Sequence, residues 1–176
     1  GSHTALEREA PRAVHLALGM PVNERMDWLV EKATELGVAS IQPLTTQRSV
    51  LKLIGGRADR KLAHWQGIAV AACEQCGRNR VPLIHDVLAF PEWVKLAHVD
   101  TRLLLSLAPD AAELFQAIGS SQSLPFLVLS GPEGGLSADE EAAARRCGFR
   151  PVSMGPRTLR SETAPLVALA ILTLPT

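Results

Sequence analysis

The fold is decided by residues 126–140, which read FLVLSGPEGGLSADE. The uninterrupted apolar run at 126–129 is typical of a central strand that is buried on both faces of a parallel sheet. The run leads through a glycine-rich turn to Ser137 and Glu140, whose spacing predicts a capping box at the start of a helix. This stretch therefore predicts a strand–turn–helix unit of an α/β protein.

The rest of the chain repeats this alternation of short β-prone runs with longer segments of helical period. We predict strands at 14–18, 41–44, 81–87, 103–107, 126–129 and 151–154. We predict helices at 26–36, 57–76, 91–98 and 111–118, a helix from Ser137 to Gly148, and an apolar terminal helix with Pro165 in its first turn. Strands that alternate with helices predict an α/β fold with a mostly parallel sheet and helices on both faces.

Composition limits the classes of function. The 176 residues fit one domain, and 47% of them are hydrophobic, which is enough for a packed core. Lys and Arg together number 18, as do Asp and Glu, so any contact with nucleic acid must be local. Three cysteines cannot make a disulfide framework, and no apolar run reaches the length of a membrane span. A reduced cytoplasm fits best.

Ligands of parallel sheets bind beyond the carboxyl ends of the strands, so the candidate site comprises the loops at 106–109, 130–135 and 154–163. In the second loop, the glycines of 131–135 would let backbone N–H groups approach a ligand closely. The alternative is a tight strand-to-helix connection without a ligand. The turn lacks both the dinucleotide-binding spacing and the lysine of a phosphate loop.

The third loop lies within residues 153–164, which read SMGPRTLRSETA. Two arginines and a glutamate crowd a loop between apolar elements. The alternative to a functional site is a solvated surface loop.

Together, the two segments at 131–135 and 153–164 resemble the signature of the ribosomal RNA small subunit methyltransferase E family, within the SPOUT superfamily. Supporting matches lie at 31–38, at Pro43 and Leu44 with Arg48, and at 72–78. The resemblance covers nearly the whole chain, from about residue 14 to residue 173.

The resemblance implies a C-terminal trefoil knot, a homodimer, and methylation of N3 of a decoding-centre uridine in small-subunit (16S) ribosomal RNA with S-adenosyl-L-methionine (SAM) as cofactor. It implies no metal, DNA or membrane partner. The implied cofactor-binding residues are Leu107, Gly131, Glu133, Gly134, Met154, Gly155 and Leu159. The implied substrate-binding residues are Arg157 and Arg160. The implied catalytic residues are Arg160, Glu162 and, from the dimer partner, Arg78.

Members of the family usually begin with a PUA-like β-barrel that binds RNA. No segment before Val14 could form such a barrel. We therefore expect residues 1–13 to comprise a purification-tag remnant, at residues 1–3, and the tail of a missing N-terminal domain. We expect residues 14–176 to form the methyltransferase domain.

The chemistry requires uracil N3 to lose its proton, which leaves negative charge on the flanking carbonyl oxygens. We expect Arg160, held by Glu162 or by a backbone carbonyl, to stabilise that charge. Glu133 is a candidate base, although a carboxylate near a helix start more often accepts hydrogen bonds from backbone N–H groups. The alternative functions are ribose 2′-O-methylation of RNA and a non-catalytic RNA-binding or assembly role with a relic pocket.

Two other residue patterns are assigned structural roles. Cys73 and Cys76 form a C-x-x-C pair, but no second pair or nearby histidines complete four zinc ligands, so core packing is expected. Burial is likewise expected for the tryptophans on predicted helices, with base stacking as the alternative. These are Trp28, Trp65 and Trp93.

Overall fold

A computed structural model describes residues 6–22, 24–96, 98, 100–119 and 125–174. The predicted tag residues 1–3 lie outside these ranges. The described strands are β1 (Val14–Gly19), β2 (Ser40–Thr45), β3 (Leu83–Ile84), β4 (Leu88–Ala89), β5 (Thr101–Leu105), β6 (Ala112–Glu113), β7 (Phe126–Ser130) and β8 (Arg150–Ser153). The described helices are α1 (Glu24–Glu35), α2 (Gly56–Cys76), α3 (Phe90–Trp93), α4 (Leu114–Ile118), α5 (Ala138–Arg146) and α6 (Thr163–Thr173).

The strands form one sheet in the order β3-β2-β1-β7-β5-β8-β6, with β4 also beside β2. Every pairing among the described strands is parallel. The predicted α/β class with a mostly parallel sheet is therefore confirmed. The run at 126–129 lies in the middle of the order and is fully buried, as its apolar pattern predicts.

Alternating residues of the central strands face two separate cores. In β7, Phe126 and Val128 join the core that contains buried residues of α1, α2, α4 and α6. Leu127 and Leu129 join the core that contains residues of α3 and α5. Because side chains alternate across a strand, the two cores lie on opposite faces of the sheet and helices cover both faces.

The sequence analysis overestimates the lengths of the elements at the edges of the sheet. Within the strand predicted at 81–87, only the two residues of β3 are strand, and β4 lies just beyond that range. The helix predicted at 91–98 is the four-residue α3. The helix predicted at 111–118 is also wrong in its first part, because Ala112 and Glu113 pair with β8 before α4 begins. These short elements depend on partners that are distant in sequence, which local periodicity does not reveal.

The predicted capping box at the start of α5 is confirmed. The Ser137 hydroxyl accepts a hydrogen bond from the Glu140 N–H at 3.2 Å, and the Glu140 carboxylate accepts one from the Ser137 N–H at 2.9 Å. The other carboxylate oxygen of Glu140 accepts from the N–H of Gln47 at 2.8 Å. The start of α5 is therefore tied to the loop that follows β2.

The tryptophans divide into buried and exposed. Trp65 and Trp93 are buried in the core, as predicted. Trp28 is 46% exposed, so the prediction of burial is wrong for this residue. Trp28 lies on the outer side of α1, beside α6.

Cys73 is buried as expected, and burial raises the pKa of its thiol. In the described part of the chain, no group of three or more His, Cys, Asp or Glu side chains could hold a metal ion. None of the described helices combines the length and the apolar character needed to cross a membrane.

Candidate functional site

Three neighbouring strands end at the same edge of the sheet, and the loops that follow them enclose a cavity. The strands β7, β5 and β8 are adjacent and parallel, and they end at Ser130, Leu105 and Ser153. The cavity has a volume of about 360 Å³, which suits a small-molecule ligand. The strand predicted at 103–107 in fact ends at Leu105, so residues 106 and 107 belong to the cavity wall.

The structure brings together most of the residues that the sequence proposes for the site. Nine of them line this one cavity: Leu107, Gly131, Glu133, Gly134, Met154, Gly155, Arg157, Leu159 and Arg160. Glu162 and Arg78 do not line it. The three loops that the sequence selects therefore converge.

Gly131 is required by the loop's own backbone. A Cβ atom at this position would lie 2.7 Å from the backbone nitrogen of Leu136 and 2.9 Å from the carbonyl carbon of Gly135. The tight strand-to-helix connection that the sequence left open as the alternative therefore accounts by itself for glycine at this position. The loop folds back on itself so tightly that no side chain fits.

Gly19, at the end of β1, has a similar role that the sequence analysis missed. A Cβ atom at Gly19 would lie 2.5 Å from Cδ of Pro132. The end of β1 thus packs directly against the glycine-rich loop. A glycine at a strand end is too common a feature to have pointed to this contact.

Glu133 belongs to a cluster of three charged side chains, with Arg25 and Glu162, that connects separate segments of the chain. Its carboxylate accepts a hydrogen bond from the backbone N–H of Val22 at 3.1 Å and lies 3.4 Å from Nη1 of Arg25. Nε of Arg25 lies 3.9 Å from the carboxylate of Glu162. Glu133 therefore does accept from a backbone N–H, as expected, but the donor precedes α1 and is not at the start of α5.

Arg25 was missed by the sequence analysis, although one signal was present. It is the second residue of α1, where the positive end of the helix dipole disfavours a cation. An arginine at such a position indicates a nearby acidic partner. Here the partners are Glu133 and Glu162, which Arg25 bridges.

Arg160 is exposed, and no hydrogen bond or ion pair with another described residue holds its guanidinium. Glu162 is buried and faces Arg25 and Ser161 instead. The prediction that Glu162 or a backbone carbonyl holds Arg160 is therefore wrong for this structure. Arg157 is also exposed at the cavity.

A second charged group stabilises the loop after β5. The Ser106 hydroxyl donates to the Glu141 carboxylate at 2.6 Å and accepts from the N–H of Ala108 at 3.1 Å. Arg145 donates to Glu141 at 3.2 Å and to Asp110 at 2.6 Å. The hydrogen bond from Arg145 lowers the pKa of Asp110, so the ion pair persists at neutral pH.

Ser106 and Glu141 both line the cavity. Ser106 lies in the loop predicted at 106–109 but was not singled out, and Glu141 was missed. Arg48 was also missed as a site residue. It lines the cavity, and its Nη1 donates to the carbonyl oxygen of Gly134 at 2.9 Å. These contacts join segments that are 35 and 86 residues apart in the chain, so local sequence patterns do not reveal them.

Arg78 lies away from the cavity and is used structurally. Its guanidinium pairs with Glu9 at 2.5 Å and donates to the carbonyl oxygens of Thr34 and Val38 at 2.9 and 3.0 Å. The side chain is 5% exposed. These contacts join the end of α1, the end of α2 and the segment before β1.

Comparison with known proteins gives a consistent family. Residues 8–173 match the family model described as an RNA methyltransferase domain. Ribosomal RNA small subunit methyltransferase E of Bacillus subtilis is 36% identical over 93% of this chain, and the chain covers 66% of that protein. The corresponding protein of Synechocystis is also 36% identical over 93% of this chain, which covers 54% of it. The chain thus spans between half and two thirds of these curated relatives.

Solved structures agree with the sequence matches. Ribosomal RNA small subunit methyltransferase E from Neisseria gonorrhoeae, bound to S-adenosyl methionine, superposes with a TM-score of 0.86 at 38% identity, over 96% of this chain and 69% of that chain. A Legionella pneumophila protein in complex with bound SAM gives a TM-score of 0.89 at 36% identity, over 95% of this chain and 68% of that chain. The resemblance drawn from the two loop segments is confirmed. The chain belongs to the RNA methyltransferase domain family and, within it, to the ribosomal RNA small subunit methyltransferase E proteins.

Proposed function

We propose that this chain is the cofactor-binding and catalytic part of a SAM-dependent methyltransferase that acts on N3 of a decoding-centre uridine in small-subunit ribosomal RNA in the cytoplasm. The observation that carries the proposal is that nine residues selected from two sequence segments and one neighbouring loop line a single cavity. The family relationship supports the RNA substrate. Two structural relatives bind SAM, which supports the cofactor.

The wall of the cavity suits SAM chemically. Backbone groups of the glycine-rich loop and the apolar side chains of Met154 and Leu159 would contact the adenosine and the methionine chain. SAM carries positive charge on its sulfonium and amino groups, and Glu133 and Glu141 supply carboxylates at the wall. Opposite charges in a partly enclosed site attract more strongly than in water.

When bound, SAM supplies an activated methyl group, so the protein mainly has to align uracil N3 with it and exclude water. N3 must pass its proton to a base, for which the Glu133 carboxylate at the cavity wall is the candidate, and the resulting charge spreads onto the flanking carbonyl oxygens. Arg160 would stabilise that charge, because its guanidinium is exposed at the cavity and none of the described residues holds it. Arg157 would bind the RNA beside it. The uridine must be unpaired or flipped out, since pairing hides N3.

The proposed assembly is a homodimer that uses α6. The helix is apolar around most of its circumference, and Leu166, Leu169 and Leu172 are buried in the chain's own core. On the outer side, α6 and α1 form an apolar groove beside the exposed ring of Trp28. Sedimentation that shows only monomer at micromolar concentration would contradict the dimer. The trefoil knot stays a prediction, as do the division at residue 13 and a role for Arg78 in trans.

Calorimetry with SAM and the unmodified chain is the first test of the function. We expect binding, and we expect Leu159→Trp to abolish it because the ring would fill the cavity. Leu96→Trp is the matched control, since Leu96 is exposed and does not line the cavity. Absence of SAM binding by folded protein would overturn the proposed site.

The second test identifies the product. Small-subunit ribosomal RNA is incubated with the protein and SAM, digested to nucleosides and analysed by mass spectrometry. We expect N3-methyluridine. A 2′-O-methylated nucleoside would replace the proposed reaction with ribose methylation. SAM binding without any methylated nucleoside, on free RNA or on assembled subunits, would favour an RNA-binding protein with a relic pocket.

A further inference from the structure

The segment Arg48 to Lys61, here called the basic segment, concentrates positive charge on a neutral protein. It reads RSVLKLIGGRADRK and contains five basic residues and one acidic residue, whereas the whole chain has a formal net charge of zero. It connects β2 to the first two turns of α2. The site described above uses only its first residue.

The cations of the basic segment are largely free. Lys52, Arg57 and Arg60 are exposed, and Lys61 is half-buried. Within the described ranges, none of these four side chains has a hydrogen bond or ion pair. Other cations of the chain, such as Arg25, Arg78 and Arg145, are paired with carboxylates. The basic segment therefore offers positive charge that the fold itself does not use.

The basic segment is anchored to the protein. Leu51 and Leu53 are buried in the core, at 8% and 6% exposure. The residues between and beside them point outward, and Val50 and Ile54 are 74% and 84% exposed. A loop that only contacts water gains no stability from two highly exposed aliphatic side chains among lysine and arginine. Such a combination fits a contact surface with both charged and apolar parts.

The basic segment begins at the cavity. Arg48 lines the cavity and donates to the carbonyl oxygen of Gly134 at 2.9 Å. The N–H of the preceding residue, Gln47, donates to Glu140 at the start of α5. Because β2 and β7 run parallel in one sheet, the loop after β2 and the start of α2 lie at the same edge as the cavity.

We propose that the basic segment binds the sugar–phosphate backbone of the RNA and holds the substrate strand beside the cavity. Lys52, Arg57, Arg60 and Lys61 contact phosphates, and Val50 and Ile54 contact ribose or the face of an unpaired base. Phosphate contacts of this kind fix position and register without reading sequence. The inference rests on the proposed function, since it assumes that the cavity acts on RNA.

The test compares two triple variants that remove the same charge. The first is Lys52→Gln with Arg57→Gln and Arg60→Gln. The matched control is Arg8→Gln with Lys95→Gln and Arg146→Gln, which neutralises three exposed cations outside the basic segment. The probe is a fluorescein-labelled transcript of small-subunit ribosomal RNA, and its binding is followed by anisotropy as KCl is raised. SAM affinity and thermal stability are measured for each protein.

We expect the first triple variant to bind the transcript roughly tenfold more weakly than the unmodified chain at low salt. The slope of log affinity against log salt should become shallower by about 2, since each lost contact to single-stranded RNA removes about 0.7. The control triple should stay close to the unmodified chain. SAM affinity should be the same in all three proteins, because the substituted residues do not line the cavity.

Equal slopes for the two triples would overturn the proposal and would leave Val50 and Ile54 as a surface for a protein partner. Failure of the unmodified chain to bind the transcript would overturn it as well. Neither result would affect the proposed function, which fails separately if SAM does not bind or no methylated nucleoside forms. If the first triple does not fold, ultraviolet cross-linking of the unmodified chain decides: adducts at 48–61 support the proposal, and adducts only elsewhere refute it.

Discussion

Arg78 and Arg160 both come from segments that resemble the family signature, yet the fold treats them in opposite ways. Arg78 lies near the amino ends of β1 and β2, is 5% exposed, and has partners at Glu9, Thr34 and Val38. Arg160 lies beyond the carboxyl end of β8, is exposed, and has no partner among the described residues.

The difference separates a structural arginine from one that is free for substrate. A guanidinium has five N–H donors, and four of those of Arg78 join three segments of the chain. A residue that is engaged in this way cannot turn toward a ligand without breaking buried contacts. The donors of Arg160 remain available to the charge that develops on uracil. Candidate catalytic arginines from a family signature can therefore be distinguished by one property. The N–H donors of a structural arginine already bind other residues of the fold, whereas those of a catalytic arginine do not.

The largest expected effect is on catalysis at Arg160, beyond the carboxyl ends of the strands. Arg160→Ala should lower the rate of methyl transfer by about 100- to 1000-fold, or roughly 3 to 4 kcal/mol, as for other preorganised donors. Folding stability should hardly change, because the side chain pairs with no residue in the described part of the chain. Single-turnover methylation at saturating SAM measures the rate, and urea unfolding measures stability.

Arg160→Lys should rescue little, because a point charge does not reproduce the planar guanidinium. If Arg160→Ala instead loses SAM affinity and methylates normally at saturating SAM, the residue belongs to the cofactor pocket. A variant that unfolds would assign Arg160 a structural role, and the contrast with Arg78 would disappear.

The second prediction concerns the contribution of Arg78, near the amino ends of β1 and β2, to folding stability. Arg78→Ala should lower the free energy of unfolding by about 3 kcal/mol, since it removes the cation paired with the largely buried Glu9 carboxylate and the side-chain donor to two backbone carbonyl oxygens. Arg80→Ala is the matched control two residues away. Arg80 pairs with Glu7 at 3.7 Å on the surface, and its removal should cost less than about 1 kcal/mol.

Urea unfolding of both variants gives the comparison directly. Equal costs would mean that the buried contacts of Arg78 contribute no more than a surface ion pair. An Arg78→Ala protein that keeps its stability but loses methyl transfer would restore the role of Arg78 in the partner's active site.

Most of the fold could be predicted from the sequence because its central elements carry strong local signals. The apolar run at 126–129 and the capping box of Ser137 and Glu140 need no distant information. The edge elements β3, β4 and β6 are two residues long and form only through pairing with β2 or β8. No local pattern distinguishes such pairs of residues from loop.

For the site, too, the sequence predicts the position of the loops but not the long-range contacts between side chains. Its three loops follow strands that the sequence identifies, so their meeting at one edge could be expected. The contact between Arg25 and Glu133 spans 108 residues and that between Arg78 and Glu9 spans 69. The resemblance could suggest that Arg78 matters, but only the fold shows which atoms its guanidinium contacts.

The third prediction separates a glycine of the cavity loop from one of the body of the protein. Gly131→Ala should lower stability by about 2 kcal/mol, because the added Cβ overlaps backbone at Gly135 and Leu136. It should also weaken SAM binding by displacing the loop. Gly67→Ala, within α2, should raise stability by about 0.5 to 1 kcal/mol, because no described atom outside the neighbouring helix backbone lies within 4 Å of the added Cβ.

Urea unfolding and SAM calorimetry are measured for both glycine variants. Unchanged stability in Gly131→Ala would show that the loop has another accessible conformation. Loss of SAM binding without loss of stability would return Gly131 to the simpler role of making room for the ligand.

The smallest expected effect concerns pH and the strands near Arg78. Burial lowers the pKa of His85, and the charge of nearby His15 lowers it further. In the unfolded chain, the pKa of His85 should return to about 6.5. Between the lowered value and about 6.5, the unfolded chain binds more protons than the folded one, so stability falls as the pH is lowered through this window. Above about pH 6.5 the stabilising contribution is fully present.

His85→Gln provides the comparison, because glutamine does not titrate. The urea midpoint of the unmodified chain should fall relative to that of the variant as the pH decreases from 7 toward 5, and the two curves should run parallel above about pH 6.5. Parallel curves over the whole range would assign acid sensitivity to other groups. The ion pair of Arg78 with Glu9 does not titrate in this window, because Arg78 and Arg80 together outweigh the effect of burial and keep the pKa of Glu9 below its ordinary value. A divergence between pH 5 and 7 would therefore come from His85, whose neutral form the fold favours.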